Sequence, residues 1–165
     1  MSLEQVVYYA KILLMLGSAN FLPIVGRLLL GKRFELPVDL GLRAWDGRPI
    51  FGPHKTWRGL AFSLSGTPLF SIVLGFDPIL GLKAAALSMA GDLASSFIKR
   101  RMGFASGAKA TGIDQIIESA LPLLVLRQDF GLEYGEVLLL VAAFTLSDII
   151  LSPMLYKLGI RRNPH

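Results

Sequence analysis

The sequence predicts an all-α integral membrane protein with five transmembrane helices. Of its 165 residues 53% are hydrophobic, and the mean hydropathy of +0.55 is too high for an ordinary soluble domain of this length. Apolar stretches approaching the roughly 20 residues that cross a bilayer recur along the chain. The chain contains no cysteine, which excludes disulfides, thiolate metal sites and a thiol nucleophile. Any bound metal must therefore sit on oxygen or histidine ligands.

Five apolar segments are predicted as spans, at residues 5–30, 58–76, 78–98, 113–128 and 135–157. Four of them contain a proline in their interior, which is unusual in soluble helices but tolerated in membrane bundles: Pro23, Pro68, Pro122 and Pro153. No internal repeat is visible, and no segment between spans is long enough for a separate domain. Residues 1–165 are thus predicted to form a single transmembrane domain.

The basic residues predict the orientation. Of the 17 lysines and arginines, 14 fall in segment 31–57 with its flanks, in segment 99–112, or at the C-terminus. The connections at Asp77 and at 127–136 are mostly acidic. By the positive-inside rule, the two long connections and the C-terminus are predicted to be cytoplasmic and the N-terminus outside. The chain is therefore expected in the cell membrane as a multi-pass protein whose active site faces the cytoplasm.

Three carboxylates are predicted to meet inside the membrane. Asp92 lies seven residues before Lys99, about 10 Å below the helix end, and Asp114 and Glu118 project from one face of the next helix. Intramembrane charges are costly and are functional hypotheses by default. An oxygen-only site suits Mg²⁺ with substrate phosphates as further ligands. The alternative is that each acid pairs with a lysine or arginine of the basic segments.

Two further polar residues lie at about the same depth. Asn20 on the first span is interpreted as an interhelical hydrogen bond. Asp148 on the fifth span fits either support of the acidic site or pairing with a buried base. Arg27, near the cytoplasmic end of the first span, is a candidate for a lipid phosphate.

The two basic segments carry possible phosphate-binding motifs. The stretch "FGPHKTWRG", residues 51–59, combines a Gly-Pro turn, several hydrogen-bond donors and an aromatic ring, which suits a nucleotide phosphate. Its alternative is an interfacial anchor, which Trp57 alone would favour. The stretch "SFIKRRMGFASGAKATG", residues 96–112, is glycine-rich and leads into a helix N-terminus, where phosphate binds readily. It contains no Walker A motif.

Together these motifs resemble those of the membrane CTP:phosphatidate cytidylyltransferases, with "SFIKR", a glycine-rich loop and then an acidic pair. The bacterial P-G-H-G-G stretch is missing, and the acidic ending reads "GIDQIIE". At these positions the chain instead resembles the archaeal CDP-archaeol synthase family, whose short chains carry a G-P-H-K-T-x-R-G block. The resemblance covers nearly the whole chain and implies transfer of cytidylyl from CTP to the phosphate of 2,3-bis-geranylgeranyl-glycerol 1-phosphate, with release of pyrophosphate.

The resemblance also implies roles for individual residues. Asp92, Asp114 and Glu118 would be catalytic acids and Mg²⁺ ligands, with Lys99 as a further catalytic residue. The remaining candidates, for contacts to the CTP phosphates and for their support, are His54, Lys55, Thr56, Arg58, Ser96, Arg100 and Gln115. The expected partners are CTP, a lipid phosphate and the bilayer, with neither nucleic acid nor an obligate protein partner.

Other functions remain open at this point. An ester-lipid phosphatidate cytidylyltransferase would use the same motifs, since none of them contacts the lipid tail. A CDP-alcohol phosphotransferase should show a D-G-x-x-A-R block, which this chain lacks. A small transporter for an anionic solute is weakened by the lack of an inverted repeat.

Overall fold

The structure, a computed structural model, describes residues 2–108 and 112–157. These residues form five helices: α1 (Leu3–Leu30), α2 (Trp57–Val73), α3 (Pro78–Arg101), α4 (Ile113–Val125) and α5 (Tyr134–Lys157). The predicted all-α class is confirmed for this part of the chain. Within it, α1 and residues 134–154 of α5 are long and apolar enough to cross a membrane by length and composition alone. Three basic residues counted above, Lys109, Arg161 and Arg162, lie outside the described residues.

Three predicted C-terminal helix ends differ from the structure by three residues each, and the starts of α1, α2 and α5 by one or two. Helix α3 continues to Arg101 instead of 98, because cationic side chains are favourable at a helix C-terminus and Arg48 donates hydrogen bonds to the Arg100 and Arg101 carbonyls. Helix α2 ends at Val73 instead of 76, since Gly75 has a positive φ of 84°. Helix α4 ends at Val125 instead of 128, where the chain turns inward.

Apolar and polar side chains are sorted along the bundle axis. Helix α1 packs against α2, α3 and α5, and each later helix packs against the next. The apolar core occupies the end where α1 begins; its buried members are Tyr9, Ile12, Met15, Leu16, Ala84, Leu123, Leu126, Phe130, Leu132, Val137, Leu140 and Phe144. The opposite end, which we call the cavity end, holds the C-termini of α1 and α3 and the N-termini of α2 and α4. It is joined by a first loop (residues 31–56) and a second loop (residues 102–112).

Helices α3 and α4 approach closely at Gly91. A Cβ at this position would lie 2.8 Å from the Ile117 carbonyl oxygen and 3.1 Å from the Glu118 Cα, both of which are backbone atoms. Backbone cannot yield as a flexible side chain does, so only glycine permits this spacing. Gly91 therefore sets the distance between Asp92 on α3 and Glu118 on α4.

Gly91→Ala is expected to push α4 away from α3, lowering thermal stability and activity together. Gly17→Ala in α1 is the matched control, because a Cβ there meets nothing within 4 Å and alanine is favoured over glycine in a helix by about 0.5–1 kcal/mol. Thermal unfolding and turnover of both purified variants check the prediction. A Gly91→Ala protein as stable and active as the control would contradict it.

Candidate active site

A polar cavity of about 580 Å³ opens at the cavity end of the bundle. Side chains from all five helices and both loops line it. All eleven predicted site residues are among them: His54, Lys55, Thr56, Arg58, Asp92, Ser96, Lys99, Arg100, Asp114, Gln115 and Glu118. The volume falls within the roughly 300–1,000 Å³ range of small-molecule sites.

Two of the three carboxylates form ion pairs. Lys55 of the first loop reaches Asp92 on α3. Lys99, in the last turn of α3, lies 2.7 Å from Asp114 Oδ2, and both side chains are about nine-tenths buried. Lys99 Nζ also donates a hydrogen bond to the Ala108 carbonyl in the second loop, at 3.1 Å. The alternative of acid–base pairing is therefore what the structure shows for Asp92 and Asp114.

Glu118 is the third of the three carboxylates and lies one turn after Asp114 on α4. It accepts a 2.8 Å hydrogen bond from Asn20 Nδ2, so the interhelical role predicted for Asn20 is confirmed. Burial lowers the pKa of the Lys55 ammonium, but attraction by Asp92 and Glu118 outweighs it and raises that pKa above its ordinary value. Lys55 consequently keeps its charge among the carboxylates.

The predicted metal site is not preformed as a three-carboxylate cage. Among residues 2–108 and 112–157, no three His, Asp or Glu side chains are arranged to hold a metal. The cations that the three acids require are supplied here by Lys55 and Lys99. Mg²⁺ commonly takes one or two protein carboxylates together with waters and substrate phosphates. Asp92 and Glu118 beside Lys55 fit that donor set, so the magnesium assignment stays a prediction.

Thr56 and Arg58 have structural partners. Thr56 is the N-cap of α2, and its hydroxyl accepts a hydrogen bond from the Gly59 amide. Arg58 donates to the carbonyls of Gly31 and Arg33 at 2.8 and 2.7 Å, which joins the start of α2 to the end of α1. The structure thus shows both residues supporting the cavity wall, and the phosphate contacts predicted for them stay a prediction.

Gln115 supports the start of α4. Its Oε1 accepts from the Gly112 amide, and its Nε2 donates to Asp148 Oδ2, both at 2.8 Å. Asp148 also accepts from Ser152 at 3.2 Å. The sequence left two roles open for Asp148, support of the acidic site or pairing with a buried base. These contacts favour the supporting role.

The turn before His54 depends on a residue that sequence reasoning missed. Asp39, in the first loop, accepts hydrogen bonds from the amides of Phe51, Gly52 and Gly41 at 2.9, 2.7 and 3.1 Å. The available signal was an Asp followed two positions later by Gly41, a pattern typical of an Asx turn. Asp39 therefore fixes the backbone that presents His54 and Lys55.

The two loops touch each other above the cavity. A Cβ on Gly52 would lie 2.5 Å from Ser106 Oγ, and one on Gly107 would lie 2.8 Å from His54 Nε2. Both glycines have a positive φ, 97° and 82°, which glycine alone adopts without strain. The glycines of both motifs thus serve close loop packing around His54.

Asp39→Asn is expected to destabilise the first loop near neutral pH. Burial raises the pKa of the Asp39 carboxyl, but the amide hydrogen bonds outweigh this and hold the pKa below its ordinary value. A depressed carboxyl pKa stabilises the fold above the unfolded-state pKa, and the contribution is lost as the pH falls through the folded-state pKa. Thermal unfolding at neutral and acidic pH should therefore show a gap between wild type and variant that narrows with acid. A gap independent of pH would contradict the role of the charge.

Comparison with known proteins identifies the family. A family model described as CarS-like, CDP-archaeol synthase, matches residues 4–165. The chain belongs to the CDP-archaeol synthase family. A CDP-archaeol synthase from Sulfurisphaera tokodaii is 31% identical over 96% of this chain and 93% of its own length. CDP-archaeol synthases from Hyperthermus butylicus and Sulfolobus acidocaldarius are 39% and 35% identical, over 60% and 67% of this chain and 60% and 64% of their own lengths.

A solved structure shares the fold. It is described as an intramembrane enzyme for archaeal membrane lipid biosynthesis, and it superposes with a TM-score of 0.68 over 83% of this chain and 90% of its own, at 24% identity. As a member of the CDP-archaeol synthase family, the chain is an enzyme, a CTP-dependent nucleotidyltransferase of archaeal phospholipid synthesis. The family resemblance predicted from the motifs is confirmed.

Proposed function

We propose that this chain transfers CMP from CTP to the phosphate of an unsaturated geranylgeranyl diether glycerol phosphate and releases pyrophosphate. The observation that carries the proposal is the single cavity in which carboxylates from α3 and α4 meet bases from the first loop and α3. A nucleoside triphosphate with a divalent cation presents the complementary charges. The family match supports the nucleotide and lipid classes.

The reaction needs alignment more than proton transfer. The lipid phosphate is already an anion at neutral pH, so one of its oxygens attacks the α-phosphorus of CTP without a general base. The bond from that phosphorus to the bridging oxygen of the β-phosphate breaks, and pyrophosphate leaves with the electron pair. Lys55, Lys99 and Arg100 are placed to offset the negative charge on the triphosphate, because all three line the cavity.

Asp92 and Glu118 are the residues that would hold Mg²⁺, with Asp114 kept in place by Lys99. When bound, the ion neutralises phosphate charge and orients the triphosphate. Arg100 is buried, and its Nε has no hydrogen-bond partner among the described residues. Arg100 also lines the cavity, which makes its guanidinium a candidate for a phosphate contact.

The bilayer provides the second substrate. We place all five helices across the membrane, the N-terminus outside and the cavity end at the cytoplasmic face, on the distribution of basic residues. Arg27 lines the cavity from α1 and remains our candidate for the lipid phosphate, which would enter between helices. No nucleic acid or obligate protein partner is invoked.

The test is incorporation of label from α-labelled CTP into lipid by the purified, reconstituted protein. The diether phosphate should be labelled, and an ester phosphatidic acid supplied in parallel tests the tail. Label in the ester lipid alone would replace the diether assignment, and label in neither by folded protein would overturn the proposal.

Chelation by EDTA is expected to abolish turnover, and added Mg²⁺ to restore it. The physical reason is that Lys55 and Lys99 share their charge with Asp92 and Asp114, so they offset only part of the triphosphate charge. Label incorporation before chelation, after it and after metal addition is the measurement. Turnover that survives thorough chelation would contradict the metal requirement.

A further inference from the structure

The first loop carries large apolar side chains that the described residues leave mostly exposed. Phe34 is 72% exposed, Leu40 63% and Trp45 84%. Leu36 and Leu42 are also more than half exposed. We call the stretch 34–45 the apolar strip. Soluble surfaces rarely carry such a run of large apolar side chains without a partner.

Two members of the apolar strip have strained backbones. Phe34 has a φ of 57° and Leu40 a φ of 51°, and they are the non-glycine residues with positive φ within residues 2–108 and 112–157. Bulky L-residues seldom adopt this region, because the side chain crowds the backbone. Since both side chains point outward, packing inside the protein does not compensate the strain. Hydrogen bonds within the first loop, such as that from the Leu40 amide to the Pro37 carbonyl, hold the backbone, while both side chains stay exposed.

The position of Trp45 indicates the level along the bundle at which the apolar strip lies. Its ring packs against Phe97 of α3, with centroids 6.1 Å apart, and Arg101 lies over the Trp45 ring. Phe97 precedes the end of α3 by four residues, or about 6 Å along the helix. The first loop therefore folds back along the outside of the bundle, to a level below the end of α3.

The strip continues the surface of α1 and carries basic flanks. Leu28 and Leu29, at the end of α1, are 55% and 71% exposed and lead directly to Phe34. Two exposed basic residues, Lys32 and Arg33, immediately precede the strip, and a third, Arg43, lies near its end. Apolar side chains flanked by bases at the edge of a membrane bundle match the headgroup layer of an anionic bilayer.

We propose that the apolar strip lies in the headgroup layer at the cavity end, with Phe34, Leu40 and Trp45 inserted toward the hydrocarbon and the flanking bases on lipid phosphates. The first loop is then an interfacial element of the membrane and not a free aqueous loop. This rests on the proposed transmembrane arrangement. It means that the mouth of the cavity is held at the depth of lipid phosphates.

The experiment uses the two tryptophans of the chain. Trp57→Phe leaves Trp45 as the single fluorophore, in the full chain reconstituted with anionic lipid. Its emission should shift to shorter wavelength relative to free tryptophan, and lipids brominated on their acyl chains should quench it more than aqueous acrylamide does. The positive control is Trp45→Phe/Trp57→Phe/Leu146→Trp, which reports from an exposed site on α5.

Emission and quenching typical of water at Trp45, with the Leu146→Trp control quenched by brominated lipid, would overturn the proposal. Protection of Trp45 from both quenchers would also overturn it, because it would indicate a protein partner or a second copy on the strip. Turnover of CTP is measured on the same samples. An active protein with Trp45 in water therefore refutes the interfacial strip without touching the proposed reaction.

Discussion

Replacement of Asp92 by asparagine is expected to lower CTP-dependent product formation by about 10²-fold or more while the helical fold persists. The variant removes one carboxylate charge and frees the Lys55 ammonium from its ion pair. The cavity gains one positive charge, so CTP binding without metal should strengthen even as turnover collapses. Turnover, and calorimetric binding of CTP with and without Mg²⁺, measure the two effects.

Lower turnover together with stronger metal-free CTP binding distinguishes a residue of the site from one that only supports the fold. Asp129→Asn is the matched control. Asp129 pairs with Lys83 of α3 at 3.3 Å, and both side chains are exposed. Exposed pairs contribute about 0–1 kcal/mol, so this variant should retain turnover. If Asp92→Asn kept near-normal activity, or weakened metal-free CTP binding, Asp92 would leave the proposed site.

Lys99→Met is expected to cost about 3–5 kcal/mol of stability, because it leaves Asp114 buried without its cation. It also removes the hydrogen bond to the Ala108 carbonyl, so the end of α3, the start of α4 and the second loop lose a common support. Thermal or denaturant unfolding in detergent gives the stability. Turnover should fall as well, since Lys99 lines the cavity.

The double variant Lys99→Met/Asp114→Leu separates stability from function. Removing both charges eliminates the buried carboxylate that has lost Lys99, so stability should recover much of the loss while turnover stays low. Lys83→Met is the control at the exposed pair, with an expected change within about 1 kcal/mol. Recovery of activity in the double variant would show that the pair acts only through the fold.

The position of the site followed from simple counting along the sequence. Seven residues from Lys99 to Asp92 and one turn from Asp114 to Glu118 predicted carboxylates at a common depth, and the structure places all three in one cavity. Helical rise and antiparallel neighbours suffice for that inference. The five helices were likewise predictable, because long apolar runs of this length are typical of helices.

The partners of those carboxylates were not predictable in the same way. Lys55 meets Asp92 only because the first loop folds back over the cavity, and that course depends on the hydrogen bonds to Asp39. Such contacts join residues far apart in sequence, and no local periodicity encodes them. The early end of α4 was missed for a related reason. Leu126, Phe130 and Leu132 extend the apolar run without being helical, because they are buried in the core from an irregular segment.

The shortness of α4 has an energetic consequence for lipid handling. Its 13 residues span about 20 Å against a hydrocarbon core of about 30 Å. In the proposed transmembrane arrangement, with its core end level with the other helices, its first turn lies well inside the membrane thickness. In the proposed reaction, the lipid substrate's chains can then stay among the neighbouring lipid chains of the bilayer. Moving the lipid chains into water would cost about 0.8 kcal/mol for every CH₂ exposed. A site that lies within the membrane thickness avoids this cost, because the lipid does not have to leave the bilayer.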